Sequence, residues 1–275
     1  MYSSFVLERD DSALLQCHSW LPKSSNALVV LVHGIGEHAK RYDAIAGKLN
    51  EKDIALFSFD LRGHGKSTGR RGHIGSFAVT HDDMDALACR ARESVGDVPL
   101  FFYGHSLGGG IVLSKWFLEP RSAHAFIATS PWLELVDSKP PALIAASRVL
   151  RAIMPSFTVP TGLDADLLSS DVSVSSAYRK DPLVHGKISA ATAIDAIDSA
   201  RRVLDGNVPE APLFLAHGNL DGICSVESSR KLAKKSSESI TYLEFAGKHE
   251  LHNEPSFFKP LTEAITGFIG ENIRR

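Results

Sequence analysis

Serine, aspartate and histidine, placed in that order along a chain, can together break an ester or amide bond. A serine hydroxyl is a weak nucleophile at neutral pH. It needs a base to take its proton and a carboxylate to orient that base. Ser106 lies in Gly104-His105-Ser106-Leu107-Gly108, a G-x-S-x-G pattern. Leu100-Phe101-Phe102-Tyr103 precedes it as a strand-like run, and Gly109-Gly110-Ile111-Val112-Leu113 follows as the start of a buried helix. Strand, sharp turn and helix are the context that pushes such a serine out above a sheet. The flanking glycines leave room where a side chain would meet the neighbouring strand and helix. Asp221, in His217-Gly218-Asn219-Leu220-Asp221, offers the acid, and His249, in Ala246-Gly247-Lys248-His249, offers the base. Both follow strand-like runs, on the side where open α/β sheets place their sites.

Rivals exist for each role. Asp221 could instead cap the helix expected soon after it. Asp181, Asp195 and Asp198 are other acids, though Asp181-Pro182 reads as a turn and the other two lie in a helical pattern. His252, three residues after His249, could exchange roles with it. A tetrahedral oxyanion also requires preorganised N–H donors. The backbone of Leu107, just after the nucleophile, is one. Ile35, in the glycine loop His33-Gly34-Ile35-Gly36, is the other. Two motifs are decoys. Asp60-Leu61-Arg62-Gly63-His64-Gly65-Lys66-Ser67 ends like a phosphate-binding loop but has Asp60 where the first glycine belongs, and no helix follows Ser67. His249-Glu250-Leu251-His252 is one residue short of a zinc-binding helix motif. No metal or cofactor is implied.

These residues need a scaffold. Apolar, β-branched and aromatic runs predict eight strands at 5–8, 14–20, 27–32, 55–59, 100–103, 126–129, 213–216 and 241–245. The first two, around Asp10-Asp11, predict an antiparallel hairpin at a sheet edge. Helical patterns at 44–52, 80–94, 109–119, 225–235 and 257–273 alternate with the later strands, which predicts an α/β protein with a mostly parallel sheet. Between the sixth and seventh strands lie about eighty residues, far more than a crossover needs. That segment carries Pro140-Pro141, an apolar stripe of Leu143, Val149, Leu150, Ile153 and Met154, and then Pro155 and Pro160. It reads as an inserted cap. The stripe either packs inward, as amphipathic helices usually do, or faces lipid.

The 275 residues suffice for one large domain with an insertion, and 44% of them are hydrophobic, as in an ordinary globule. A formal net charge of −2 gives no pull toward nucleic acid. Cys17, Cys89 and Cys224 are odd in number and far apart, which fits a reducing compartment. With no secretory signal and no long apolar span visible, the expectation is a cytoplasmic protein. The cap is the one element that could touch a membrane surface.

With these residues in place the chain resembles the α/β-hydrolase superfamily, and within it the monoacylglycerol lipase group and its lysophospholipase relatives. The matching segments are His33-Gly34-Ile35-Gly36-Glu37-His38 with Arg41-Tyr42, Asp60-Leu61-Arg62-Gly63-His64-Gly65 with Ser67 and Gly69, and Arg71-Gly72-His73. They continue with Gly104 to Gly109, Ser130-Pro131, Asp181-Pro182, His217-Gly218 with Asp221, and His249 to Glu254. The spacing of the elements predicts a hydrolase core over 1–131 and 208–275 with a helical cap over 132–207, and the cap is where the chain is least like the family. The resemblance implies a catalytic triad of Ser106, Asp221 and His249 and an oxyanion hole of Ile35 and Leu107. It also implies that Glu37, Arg41 and His252 line the polar end of the pocket, where glycerol hydroxyls would sit. The expected substrate is a small lipid ester, foremost a monoacylglycerol, hydrolysed to fatty acid and glycerol through an acyl-enzyme. A general carboxylesterase, a lysophospholipase and a non-catalytic binder on the same fold are the alternatives. A peptidase of this fold carries a His-Gly-Gly-Pro-Gly loop, which His33-Gly34-Ile35-Gly36-Glu37 does not match.

Overall fold

The expected runs form one eight-stranded sheet. In the computed structural model, which describes residues 1–137, 139–236 and 238–273, its strands are β1 (Tyr2–Glu8), β2 (Leu14–Trp20), β3 (Ala27–Val32), β4 (Ile54–Phe59), β5 (Leu100–His105), β6 (Ala125–Thr129), β9 (Leu213–Gly218) and β10 (Ile240–Phe245). Their spatial order is β1-β2-β4-β3-β5-β6-β9-β10. β1 and β2 form the antiparallel edge hairpin, β2 also runs antiparallel to β4, and every later pairing is parallel.

The central strands are buried on both faces, so they read as unbroken apolar runs. β3, β4, β5 and β6 have no exposed residue. Side chains still alternate. Leu28, Val30 and Val32 enter one core cluster with Phe102 and Phe126, while Val29 and Leu31 enter the other with Phe101 and Tyr103. Helices α2 (Phe77–Val95), α3 (Leu107–Leu118) and α7 (Val226–Ala233) complete the first cluster through Met84, Ile111 and Leu232. Helices α1 (Asp43–Asn50) and α8 (Phe258–Ile273) complete the second through Ile45, Leu49, Ile265 and Ile269. Local chemistry sets the ends of α2. The Ser76 hydroxyl accepts from the Val79 N–H, and Gly96, at φ 80°, closes the last turn.

Between β6 and β9 the chain forms α4 (Pro141–Ile153), β7 (Thr158–Pro160), α5 (Val172–Lys180), β8 (Lys187–Ser189) and α6 (Ala190–Asp205). The short antiparallel β7–β8 pair was not foreseen from the sequence; three-residue strands carry too little pattern to read. The helix α6 sinks Ala196, Ala200, Val203 and Leu204 into the first core cluster, so the end of the insertion packs as part of the main body. The helix α4 does the reverse. It has no buried residue, and Arg148 and Arg151 pair with Asp198 and Asp195 of α6. Its stripe points outward, with Val149 61% and Ile153 72% exposed.

Candidate active site

The turn after β5 carries Ser106 at φ 56° and ψ −121°, a strained conformation for a residue with a side chain. Its flanking glycines are steric necessities. A Cβ on Gly104 would lie 2.1 Å from the Gly108 carbonyl oxygen, and one on Gly108 would lie 2.1 Å from that of Val32. The strand–turn–helix packing therefore tolerates no methyl at either position, as the sequence pattern predicts.

Asp221 and His249 arrive from the loops after β9 and β10. His249 Nε2 lies 2.9 Å from Ser106 Oγ, and His249 Nδ1 lies 2.7 Å from Asp221 Oδ2. The three residues thus form one hydrogen-bonded line at the carboxyl ends of three parallel strands. Asp221 Oδ1 accepts from the Ile223 and Cys224 N–H groups, so its loop holds it as an acceptor facing the base. The other acids lie elsewhere. Asp181 meets His38, Asp195 meets the Phe77 N–H and Arg151, and Asp198 meets Arg148. His252 does not reach Ser106. It is buried between Tyr42 and His105, with ring centroids 4.7 Å from each.

Burial alone would raise the Asp221 pKa. The charge of His249 and the hydrogen bonds from His217 and His249 outweigh it and hold the carboxyl well below the ordinary range. Burial alone would lower the His249 pKa, and the charge and hydrogen bond of Asp221, with Glu250 and Glu37 behind, raise it above the ordinary histidine value. The neighbouring His105 goes the other way: burial, then His252 and His249, push its pKa well down and keep it neutral.

His217 is a member of the site that motif reading quoted without assigning a role. Its Nε2 lies 3.1 Å from Asp221 Oδ2 and 3.2 Å from the Cys224 carbonyl, and its Nδ1 lies 2.7 Å from Ser229 Oγ. Facing two acceptors, Nε2 carries the proton, so His217 donates to the acid. Its place at the end of β9, four residues before Asp221, was the available signal.

Ile35 lines the cavity above Ser106. Leu107 is the first residue of α3, so its N–H is among the helix donors that have no intrahelical acceptor. Of the three residues expected at the polar end, Glu37 lines this cavity, while Arg41 and His252 sit behind it. Gly34, His105, His249, Glu250 and three residues of the insertion, Leu163, Leu168 and Tyr178, complete the lining. The space is small, about 10 Å³, close to the room for one water. Leu163 and Tyr178 also border a second cavity of about 350 Å³, lined by Asp164, Arg179, Asp181 and His185.

The decoys resolve physically. Asp60 accepts from the Lys66 N–H of its own loop and from the Ala39 N–H of the segment after β3, and a Cβ on Gly65 would lie 2.1 Å from its Oδ2, so that turn is filled by a carboxylate. His105, Glu250 and His252 bring ligand atoms within 4.8 Å of one another. Both Glu250 oxygens are already engaged by Arg41, at 2.6 and 2.8 Å, so a guanidinium holds the carboxylate a cation would need.

Comparison with known proteins agrees with this geometry. A family model described as serine aminopeptidase, S33, matches residues 23–256. The chain is 34% identical to a monoacylglycerol lipase of Mycolicibacterium smegmatis, over 91% of this chain and 90% of that protein. It is 32% identical to an abhydrolase domain-containing protein of Dictyostelium discoideum, over 89% of this chain but only 26% of that much longer protein. The crystal structure of Paleococcus ferrophilus monoacylglycerol lipase superimposes with a TM-score of 0.84 at 31% identity, covering 94% of this chain and 99% of that one. With its triad-bearing loops on a mostly parallel eight-stranded sheet, the chain belongs to the S33 family of α/β-hydrolases, among the serine hydrolases that resemble monoacylglycerol lipases.

Proposed function

We propose that this protein hydrolyses carboxylic esters through an acyl-enzyme on Ser106, and that monoacylglycerols are its substrate class. The observation that carries the reading is the line Ser106 Oγ, His249, Asp221, with contacts of 2.9 and 2.7 Å. His249 takes the Ser106 proton as the hydroxyl attacks the ester carbonyl. Asp221, held by His217 and two backbone N–H groups, orients the imidazole and stabilises its cation. The Ile35 and Leu107 N–H groups receive the oxyanion. The glycerol oxygen leaves with the proton from His249, and water releases the fatty acid by the same route. The monoacylglycerol lipases that match over most of this chain support the substrate class.

The S33 family description names an aminopeptidase. The pocket favours the ester. An aminopeptidase needs a free carboxylate for the substrate ammonium, and here Glu37 and Glu250 both pair with Arg41. A panel of monoacylglycerols, alkyl esters and aminoacyl amides, assayed with the purified protein, separates the readings. We expect the highest kcat/KM on the glycerol esters. A preference for the amides overturns the proposal.

The insertion acts as the lid in this reading. Leu163 and Tyr178 stand between the two cavities and reduce the space at Ser106 to about 10 Å³, so they must move to admit an acyl chain. The outward apolar face of α4, with Leu143, Val149, Ile153 and Met154, is the surface that would rest on lipid. No helix among the described residues is long and apolar enough to cross a membrane, so the contact is peripheral in this reading. Three free cysteines support a cytoplasmic location.

A further inference from the structure

We propose that Glu37 is a positioning residue that aims the oxyanion hole, and that the buried chain Glu37–Arg41–Glu250 locks that hole to the loop carrying the catalytic base. The inference rests on the ester-hydrolase reading and adds a role that a headgroup ligand would not have.

Gly34 packs directly against the nucleophile: a Cβ there would lie 3.1 Å from Ser106 Cβ. Both polar groups of Gly34 are clamped. Its N–H donates to Glu37 Oε1 at 2.6 Å. Its carbonyl lies 2.7 Å from His33 Nδ1. The Leu61 N–H donates to His33 Nε2 at 2.9 Å, so Nε2 is the acceptor and Nδ1 carries the proton. In a trans peptide the carbonyl and the following N–H point in opposite directions. Fixing the Gly34 carbonyl therefore fixes the direction of the Ile35 N–H, the donor assigned to the oxyanion. Glu37 fixes the peptide before it, so the pair prevents the loop from turning about Gly34, the residue least able to hold itself.

Glu37 is in turn held on every side. Its Oε1 also accepts from the Tyr42 hydroxyl at 2.8 Å, and its Oε2 accepts from Arg41 at 2.7 Å. Arg41 makes a two-pronged contact with Glu250, the residue after His249. One continuous buried network thus runs from the oxyanion loop after β3 to the base loop after β10. A carboxylate with these partners has little left to offer a glycerol hydroxyl. It has what a brace needs, which is charge-assisted bonds in fixed directions.

The test compares wild type with E37Q on a monoacylglycerol and on a p-nitrophenyl ester of the same acyl chain, and measures inhibition by an alkyl boronic acid. The boronate forms a tetrahedral adduct on Ser106 with one oxygen in the hole. The amide of E37Q must turn its NH2 either toward the Gly34 N–H or toward the Arg41 guanidinium, neither of which can accept, so the brace loosens. We expect kcat to fall by about 10- to 100-fold on both esters, short of the loss of a whole oxyanion donor. KM should stay within about twofold, and boronate affinity should weaken in parallel with kcat. A loss confined to the monoacylglycerol, with raised KM and unchanged boronate affinity, would make Glu37 a headgroup ligand and overturn the proposal. Unchanged kinetics overturn it as well. Should E37Q fail to fold by thermal melting, Glu37→Asp, which keeps the charge but shortens the reach, carries the same comparison; failure of both to fold makes the residue a structural one and also overturns it. Wild type inactive on both esters and blind to the boronate would instead defeat the ester-hydrolase reading itself.

Discussion

At the scale of single residues, the site is a contest between burial and charge. His249 is buried, which disfavours its cation, yet the adjacent Asp221 wins and raises its pKa. A base must be neutral to accept a proton, and a raised pKa moves its protonation to higher pH. The acid limb of the kcat/KM profile should therefore have its midpoint above about 6.5, the ordinary histidine value. Asp221→Asn should move that limb to lower pH while reducing the rate. A wild-type midpoint at or below the ordinary value would contradict the electrostatic account. The hydrogen-bonded trio was legible at this scale because each member has a local signature: glycines around Ser106, and a place within four residues of a strand end for Asp221 and His249. Glu250 and Tyr178 carry no local signature, because Glu250 meets Arg41 and Tyr178 meets the cavity across segments distant in sequence, whereas His217 lies only four residues before Asp221 and its role shows only in the direction of its ring.

At the scale of elements, strands and helices were readable where burial leaves a period. The central strands lie inside two helix layers and spell continuous apolar runs, so β3 falls at its expected limits and β4 starts one residue before its own. The insertion was harder. Its helices carry similar amphipathic patterns, but α6 turns its apolar face into the main core while α4 turns its own outward and rests on α6 through Arg148 and Arg151. A period identifies a face and does not say what covers it. The outward face of α4 predicts a selective effect. The double variant V149E/I153E should lower turnover of monoacylglycerol held in lipid vesicles by about tenfold, since each full burial of such a side chain is worth about 1.5–3 kcal/mol and interfacial insertion is partial. Turnover of a short ester in free solution should not change, because neither side chain lines the cavity. Equal losses on both substrates would remove the lipid-contact role from α4.

At the scale of the whole molecule, the sheet brings loops from across the chain to one edge, and the insertion closes over them. Backbone bonds seat the insertion on the triad loops: the His249 N–H donates to the Leu167 carbonyl at 3.4 Å, and the Glu250 N–H donates to that of Leu168 at 2.7 Å. On the oxyanion side, the His185 N–H donates to the Gly36 carbonyl at 2.8 Å, and His38 meets Asp181 at 2.9 Å. The insertion is thus bonded both to the loop of His249 and to the loop of Gly34–Gly36, so in the proposed lid reading its opening and the geometry of the site are linked. All of this has a purpose only if Ser106 is the nucleophile. The most direct test is mass spectrometry of the protein after reaction with a fluorophosphonate, with ester turnover followed in the same samples. The account predicts one adduct, on Ser106, formed in step with the loss of turnover, and neither adduct nor turnover in Ser106→Ala. An adduct on another residue, or ester turnover retained by Ser106→Ala, would contradict it.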